Sequence, residues 1–219
     1  MKSAQSYWTV SGYAETELII QKSRFIGYAT RVETEGEAQL FIEKIRKNHW
    51  SASHNCFAYY LTKEGGGPEA QKASDDGEPA GTAGKPILET IHAHHLWDTV
   101  IVVTRYFGGV KLGSGGLVRA YGQTASAVIQ TAGISHFTLQ QCLTITVSYE
   151  QMGKIEYDLH RSPFEVSAPA FAAAVTWNVW IPCGKERPLL DQLSQHTNGQ
   201  AHITWGEIKY RPSHSPSTD

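Results

Sequence analysis

The sequence predicts an α+β fold in two domains, and three observations indicate it. The whole chain has 219 residues, which suffice for two domains of about a hundred residues each. In its first part, segments typical of strands alternate with segments typical of helices. From residue 137 the predicted order becomes β-α-β-β-α-β, which is that of the ferredoxin-like fold. The last residues are polar and lack an apolar anchor. We therefore expect one domain at 1–135, a second at 137–210 and a disordered tail at 211–219.

The first domain begins with strands and one amphipathic helix. Segments 7–13 (YWTVSGY) and 17–32 (ELIIQKSRFIGYATRV) are rich in β-branched and aromatic residues, which predicts hairpin strands. Segment 34–49 (TEGEAQLFIEKIRKNH) has apolar residues at helical spacing and basic residues near its end, where the helix dipole favours cations. Thr34 and Glu37 have the spacing of a capping box, in which a hydroxyl and a carboxylate each accept a hydrogen bond from a backbone amide.

Two further strands and two further helices are expected in this domain. Segment 54–62 (HNCFAYYLT) predicts a strand, and the polar, glycine-rich stretch 63–77 predicts an exposed, mobile loop. A helix is expected to begin at Pro86, because proline suits a first helical turn. Segment 99–107 (TVIVVTRYF) is almost wholly apolar, which is typical of a strand buried on both faces. The last helix is predicted at 117–133 (LVRAYGQTASAVIQTAG).

The second domain is predicted to contain four strands and two helices. Apolar residues alternate along some segments and recur at helical spacing along the others. In chain order the segments are 142–149 (strand), 150–161 (helix), 164–171 and 174–182 (strands), 185–199 (helix) and 201–210 (strand).

The composition excludes several classes of protein. The formal net charge of -2 does not require nucleic acid as a partner, although a local basic face is compatible with it. The three cysteines are too few and too scattered for a disulfide framework or a CxxC zinc site, and the histidines lack the spacing of metal ligands or a catalytic triad. The chain shows neither a signal-like apolar stretch nor eighteen consecutive apolar residues. We therefore expect a cytoplasmic protein without metal, cofactor or membrane partner.

Segment 74–86 (SDDGEPAGTAGKP) combines three acids with a glycine-rich end. It does not match the nucleotide-binding P-loop, because prolines stand in place of the first glycine and of the Ser or Thr of that pattern. Asp75, Asp76 and Glu78 offer carboxylate oxygens of the kind that divalent cations prefer, but they lack the spacing of a metal-binding loop. A solvated turn, with the acids near the positive end of the next helix, is favoured over a metal site.

Glycines cluster in two loops, and each loop leads into a predicted helix. Glycine allows backbone amides to approach a ligand closely, and a helix N-terminus adds partial positive charge, so together they favour anions. The pattern therefore predicts a surface that accepts phosphate groups, and tight packing of helix against strand is the alternative explanation of the same glycines. The glycines are Gly77, Gly81, Gly84, Gly108, Gly109, Gly113, Gly115 and Gly116, and the nearby cations are Lys85, Arg105, Lys111 and Arg119.

Three segments resemble a known family. Residues 22–26 (KSRFI), 74–86 and 105–122 (RYFGGVKLGSGGLVRAYG) closely resemble the signatures of the IMPACT family, in its bacterial YigZ-type branch. The resemblance implies a two-layer N-terminal domain like the second domain of ribosomal protein S5 and domain IV of elongation factor G. It also implies a C-terminal domain like domain V of that factor. Both likenesses indicate RNA or the ribosome as a partner, and eukaryotic members of the family regulate translation.

From the glycine loops and this resemblance we expect a non-enzymatic RNA- or ribosome-binding protein linked to translation or its regulation. The alternatives are an enzyme acting on a phosphorylated or nucleotide substrate and a module that binds a protein partner. The predicted phosphate- or nucleic-acid-binding residues are Lys22, Arg24, Gly81, Thr82, Gly84, Lys85, Arg105, Tyr106, Gly108, Gly109, Lys111, Gly113, Ser114, Gly115 and Arg119. The acids Asp75, Asp76 and Glu78 would either orient these cations by pairing or repel misplaced phosphate. No catalytic residue is assigned.

Overall fold

A computed structural model describes residues 6–62 and 68–213 of the chain. The chain divides into two compact units, Met1–His136 and Phe137–Asp219. Each unit combines helices with β-structure, which confirms the predicted α+β class. Among the described residues, no helix is long and apolar enough to cross a membrane.

The first unit is built around a five-stranded antiparallel sheet. Its elements are β1 (Ser6–Val10), β2 (Ala14–Ile20), β3 (Ser23–Arg31), α1 (Glu35–Asn48), β4 (His54–Thr62), β5 (Pro68–Ser74), α2 (Gly84–Ala93), β6 (Thr99–Tyr106) and α3 (Gly113–Ala132). The strand order is β2-β3-β6-β4-β5, so β6 lies at the centre. Every residue of β6 except its last is buried, as the sequence predicted.

Helices cover both faces of this sheet. Helices α2 and α3 pack on one face, where Ile87 and Tyr121 belong to a core cluster with Phe25. The sheet and this pair of helices are the two layers that the resemblance implies. Helix α1 packs Ile42 on the opposite face against Val102. The additional layer follows from the apolar side chains on both faces of the central strands, because an uncovered face would leave them in water.

The predicted capping box forms at the start of α1 with one difference, because the Glu37 carboxylate accepts from the residue before the N-cap Thr34. The Thr34 hydroxyl accepts from the Glu37 amide at 3.1 Å, and the Glu37 carboxylate accepts from the Glu33 amide at 2.7 Å. The prediction of a loop at 63–77 is wrong for Pro68–Ser74, because these residues form β5 and pair antiparallel with β4, whereas residues 75–77 do lie in a loop. β5 is an edge strand with several polar residues, and such a strand lacks the apolar alternation that reveals a half-buried one. Residues 63–67 of that predicted loop lie outside the described residues.

The second unit has the strand order of a ferredoxin-like fold, as predicted. Its elements are β7 (Ile134–Val147), α4 (Tyr149–Arg161), β8 (Glu165–Val166), β9 (Ala170–Phe171), β10 (Val175–Pro182), α5 (Arg187–Thr197) and β11 (His202–Pro212). Strands β11, β7, β10 and β8 are neighbours in that order, and all three pairings are antiparallel. Side chains from the sheet and both helices form one core, which contains Trp177, Leu159 and Leu193.

Strand β11 extends to Pro212, two residues into the segment predicted as a disordered tail. Arg211 holds this end of the strand. Its guanidinium carbon lies 4.4 Å from the centroid of the Trp180 ring, and its Nη2 donates to both oxygens of Glu165, at 2.5 and 2.6 Å. The composition of a segment does not reveal its contacts across a sheet, so the predicted start of the tail, at residue 211, is too early. Residues 214–219 lie outside the described part of the chain.

Candidate functional site

The two glycine loops lie at the same end of the five-stranded sheet, because β5 and β6 both run antiparallel to β4. Loop 75–83 follows β5 and leads into α2, and loop 107–112 follows β6 and leads into α3. Glu78 of the first loop hydrogen-bonds both Arg105 at the end of β6 and Tyr121 of α3. We call the two loops, with the first turns of α2 and α3, the glycine-loop edge. The sequence predicted that these segments form one site, and Glu78 joins the first loop to the strand and the helix that flank the second loop.

Glu78 and Arg105 form a buried ion pair within this edge. Arg105 Nη1 donates to Glu78 Oε1 at 2.6 Å, and the two side chains are 6% and 4% exposed. The Tyr121 hydroxyl donates to the same oxygen at 2.8 Å, and Arg105 Nη2 donates to the Ser23 hydroxyl at 3.3 Å. Arg105, which was expected to face phosphate at the surface, therefore lies inside the fold and neutralises Glu78. Tyr121 is also buried, and burial raises its pKa.

Asp75 acts as a cap for α2 from outside the helix. One carboxylate oxygen accepts from the amides of Ala83 and Gly84, both at 2.9 Å, and the other accepts from Gly81 at 2.8 Å. Burial by itself raises the pKa of Asp75, but the three backbone hydrogen bonds outweigh it and bring the pKa below its usual value. The position where this loop would bind an anion is therefore already filled by a carboxylate of the chain itself.

Asp76 ties the loop to α1 and β4. Its two oxygens accept from Arg46 Nη2 at 2.9 Å and from the backbone N–H of Asn55 at 2.6 Å. Arg46 is not one of the cations that the sequence assigned to the site, so only Glu78, through Arg105, pairs an acid of this segment with one of them. Asp76 and Gly77 have positive φ angles of 43° and 87°. Because of this sharp turn, neighbouring acids point towards different partners.

The acids and histidines of this region are engaged in structural contacts. His54 Nδ1 lies 2.8 Å from the Asp76 carbonyl oxygen, and its Nε2 lies 3.8 Å from Glu78 Oε2. His49 sits between the hydroxyls of Tyr28 and Tyr106, at 2.6 and 2.8 Å, and burial lowers its pKa. In residues 6–62 and 68–213, no group of three His, Cys, Asp or Glu side chains is placed to hold a metal ion.

Sequence reasoning did not assign His49, His54 or Ser23 to the site. Their contacts join residues that are far apart in the chain, so local spacing carried no sign of them. For Ser23 one hint was present, because it lies inside the segment KSRFI that resembles a family signature.

Two of the glycines are required by close backbone approach. A Cβ atom on Gly108 would lie 1.9 Å from the carbonyl oxygen of Lys22, and one on Gly84 would lie 2.6 Å from the Ser74 nitrogen. The Gly108 amide donates to the Ser23 hydroxyl at 3.2 Å. For these two glycines, tight packing of one segment against another is the explanation.

The first turn of α3 is different, because it is open. The helix begins at Gly113, four residues before the start predicted at residue 117, and its N-cap Leu112 provides no side-chain hydrogen bond. Gly113, Ser114 and Gly115 are exposed. The guanidinium of Arg119 reaches back along this turn, with Nη1 4.0 Å from the position of a Cβ on Gly115. Within the described ranges 6–62 and 68–213, no carboxylate is recorded as accepting from the first amides of α3 as Asp75 does from those of α2.

The remaining predicted residues differ in their contacts and exposure. Lys22 and Lys111 are exposed, and the backbone of Lys22 contacts Gly108. Lys85 is exposed and lies 3.8 Å from Glu89. Arg24 donates to Glu17 at 2.8 Å and lies over the Tyr106 ring. Thr82 is buried, Gly81 and Gly109 are exposed, and Phe107 is 50% exposed.

Comparison with known proteins identifies the family. A family model described as the Impact N-terminal domain matches residues 21–129, which include the whole glycine-loop edge. A second, described as a domain of unknown function (DUF1949), matches residues 145–200. The IMPACT family member YvyE of Bacillus subtilis is 43% identical over 205 residues, which cover 94% of this chain and 93% of that protein. The chain belongs to the IMPACT family.

Other IMPACT family members show how far the likeness extends. YigZ of Escherichia coli is 32% identical, over 84% of this chain and 90% of its own length. A crystal structure described as that of a hypothetical protein superimposes with a TM-score of 0.59 at 30% identity, covering 93% of this chain and 98% of that one. The IMPACT homologue of Saccharomyces cerevisiae is 30% identical but matches only 42% of this chain and 35% of its own length. The resemblance to the bacterial branch is confirmed over both units.

Proposed function

We propose that this IMPACT family protein is a non-enzymatic RNA- or ribosome-binding protein that acts in translation or its regulation in the cytoplasm. It binds phosphate groups at the first turn of α3. The observation that carries the proposal is the contrast between two helices of one edge. The amides at the start of α2 are occupied by Asp75, whereas those of α3 are exposed beside Lys111 and Arg119.

The physical basis is the charge at a helix N-terminus. The first amides of a helix have no partner within the helix, and the aligned peptide dipoles place about half a positive charge there. Glycines at the first positions of α3 leave room for a phosphate to reach these amides. Exposed Lys22, Lys111 and Arg119 add full charges around them. The half-exposed ring of Phe107 supplies a surface on which a base can stack.

The geometry favours binding over catalysis of a phosphate reaction. The carboxylates of Asp75, Asp76 and Glu78 already accept hydrogen bonds from the protein itself. In these positions they stabilise the fold and are not directed at the exposed turn of α3. The enzyme alternative would need a free carboxylate or a metal site at this edge.

A protein partner is the alternative that one observation favours. Phe107, Val110 and Val118 are exposed large apolar residues near the same turn. Apolar side chains of this kind are buried more often by a protein than by an RNA backbone. The experiments below therefore test RNA binding and protein binding separately.

The first test measures binding of a single-stranded RNA and of ribosomes at two ionic strengths. The double substitution Lys111→Gln and Arg119→Gln is expected to weaken binding and to reduce the salt slope by roughly 0.7 for each lost phosphate contact. Lys154→Gln with Arg187→Gln removes the same charges from exposed positions of the second unit and serves as the control. Absence of binding at low salt, or equal binding by both double variants, would refute the proposal.

A second variant tests the role of the helix N-terminus itself. Ser114→Asp places a carboxylate at the start of α3, as Asp75 does for α2. A carboxylate in the first turn stabilises a helix by about 0.3–1 kcal/mol, so the fold is expected to persist. Binding of RNA should nevertheless be lost, because the carboxylate competes with phosphate for the amides. If Ser114→Asp binds RNA as the unaltered chain does, this turn is not the site. If partners captured from extract survive ribonuclease, a protein partner is favoured.

A further inference from the structure

The outer edge of β2 is an unprotected strand edge. β2 ends the five-stranded sheet, and within residues 6–62 and 68–213 no strand pairs with its outer side. Ile19 is 73% exposed on it. Sheet edges are usually protected by proline, lysine or a bulge, because their free backbone groups pair readily with another strand. The sequence of β2, AETELII, has neither proline nor lysine, its two charged residues, Glu15 and Glu17, both precede the apolar segment 18–20, and its pairing with β3 has no bulge.

A groove runs beside this edge, between β2 and α3. Its volume is about 390 Å³, and it is lined by residues 18–20 of β2 and by Gln123, Ser126, Ala127 and Gln130 of α3. The α3 side of the groove thus consists of small or neutral side chains.

Helix α3 lies over the space between β2 and β3. On the β2 side, the hydroxyls of Thr16 and Thr131 are 2.6 Å apart. On the β3 side, a Cβ on Gly27 would lie 3.0 Å from the methyl carbon of Thr124. The axis of α3 is therefore about half a strand spacing inside β2, which is about 2.4 Å for strands 4.8 Å apart.

We propose that β2 and α3 form the interface of a symmetric dimer, in which β2 pairs antiparallel with β2 of a second copy and Ile19 lies at the two-fold axis. In this register Ile19 faces Ile19, Leu18 faces Ile20 and Glu17 faces Gln21. Carboxylates do not oppose one another, and the acidic start of β2 lies beside the turn that carries Lys22 of the other copy. The charges and the apolar residues are thus self-complementary, as a two-fold interface requires.

The spacing of the helices distinguishes a second copy from a lone extended peptide. Pairing of two β2 strands places the two α3 axes about two strand spacings apart, which is about 9.6 Å. Packed helices have axes about 8–10 Å apart, and the shorter distances need small side chains at the contact. Ser126 and Ala127 are such side chains and line the groove. A peptide strand would pair with β2 but would leave this face of α3 uncovered.

The mass of the full-length chain in solution tests the proposal. Sedimentation equilibrium from about 1 to about 100 µM, a range that detects micromolar self-association, should approach twice the chain mass of 24.2 kDa. Ile19→Lys opposes two charges at the two-fold axis and should return the mass to that of one chain. Leu40→Lys is the matched control, because Leu40 is also 73% exposed but lies on α1. It should leave the dimer intact.

A cross-link tests the register itself. Directly opposed residues of antiparallel strands have Cα atoms about 4.5–5.5 Å apart, which suits a disulfide. Ile19→Cys should therefore form a disulfide-linked dimer under mild oxidation, whereas Leu40→Cys should not. A single-chain mass at all concentrations would overturn the proposal. So would a dimer that Ile19→Lys leaves unchanged, or equal cross-linking by the two cysteine variants.

Discussion

Removal of the Asp75 carboxylate should destabilise the first unit through a single loop. Asp75 accepts three backbone hydrogen bonds at 2.8–2.9 Å from residues at and before the start of α2. Loss of a helix cap costs about 0.5–2 kcal/mol, and hydrogen bonds to a charged group contribute about 1.5–3 kcal/mol. We therefore expect Asp75→Ala to lower the free energy of unfolding by about 2–3 kcal/mol at neutral pH. Asp75→Asn keeps one acceptor oxygen and should lose about half of that.

The measurement is urea unfolding followed by far-ultraviolet circular dichroism, together with hydrogen exchange of the Ala83 and Gly84 amides. Glu89→Ala is the control, because it removes a carboxylate from α2 that is 64% exposed. It should change stability little, since exposed ion pairs contribute little. An unfolding free energy for Asp75→Ala equal to that of Glu89→Ala, with unchanged exchange at Ala83 and Gly84, would refute the capping role.

The contribution of Asp75 should also depend on pH in a defined direction. Its pKa in the folded protein lies below the ordinary value, so the unfolded chain binds the proton more readily. The stabilisation is therefore complete above the unfolded pKa of about 3.9 and is lost as pH falls through the lower folded pKa. The difference in stability between the unaltered chain and Asp75→Asn should accordingly shrink on acidification. A difference that is constant from neutral to acidic pH would contradict this sign.

Two further predictions use the same unfolding assay. Arg105→Met leaves Glu78 buried without its cation and should lower the free energy of unfolding by about 3–5 kcal/mol. Arg187→Met removes an exposed cation and should change that free energy little. Similar losses of stability for both variants would contradict the buried pairing. Gly108→Ala directs a Cβ to 1.9 Å from a backbone oxygen and should cost more than about 3 kcal/mol. Gly153→Ala fills open space within α4 and should stabilise by about 0.5–1 kcal/mol, so a gain at Gly108 would contradict the proposed close approach.

The elements that could be predicted are those with a local pattern. Helix α1 follows from its apolar spacing and from Thr34 and Glu37, and β6 follows from its uninterrupted apolar run. The order of elements in the second unit was sufficient to predict its ferredoxin-like arrangement. β5 was missed because it pairs at an edge and carries several polar residues. The start of α3 was missed because glycines disfavour a helix, although its first turn contains three of them.

The candidate site was predictable as a neighbourhood but not in its detail. The glycines and acids of segment 74–86 and the cations from Arg105 onward were assigned to one site, and Glu78 joins this segment to one of those cations, Arg105. Whether Arg105 faces water or the interior could not be predicted, because either direction is compatible with the end of a buried strand. The same holds for Asp75: the sequence favoured a solvated turn near the positive end of the next helix, but it did not show that the carboxylate accepts from the amides that begin α2.

The amino-acid order alone determined which segments become strands and helices, because backbone preference and apolar periodicity act over a few neighbouring residues. It also determined the family to which the chain belongs. Only the tertiary structure decided which charges remain available to a partner. Glu78 meets Arg105 and Tyr121 across 27 and 43 residues of chain, and such contacts arise when separate segments pack into one core. Packing therefore pairs one cation, Arg105, with the buried Glu78 carboxylate, whereas the first turn of α3 stays open to solvent.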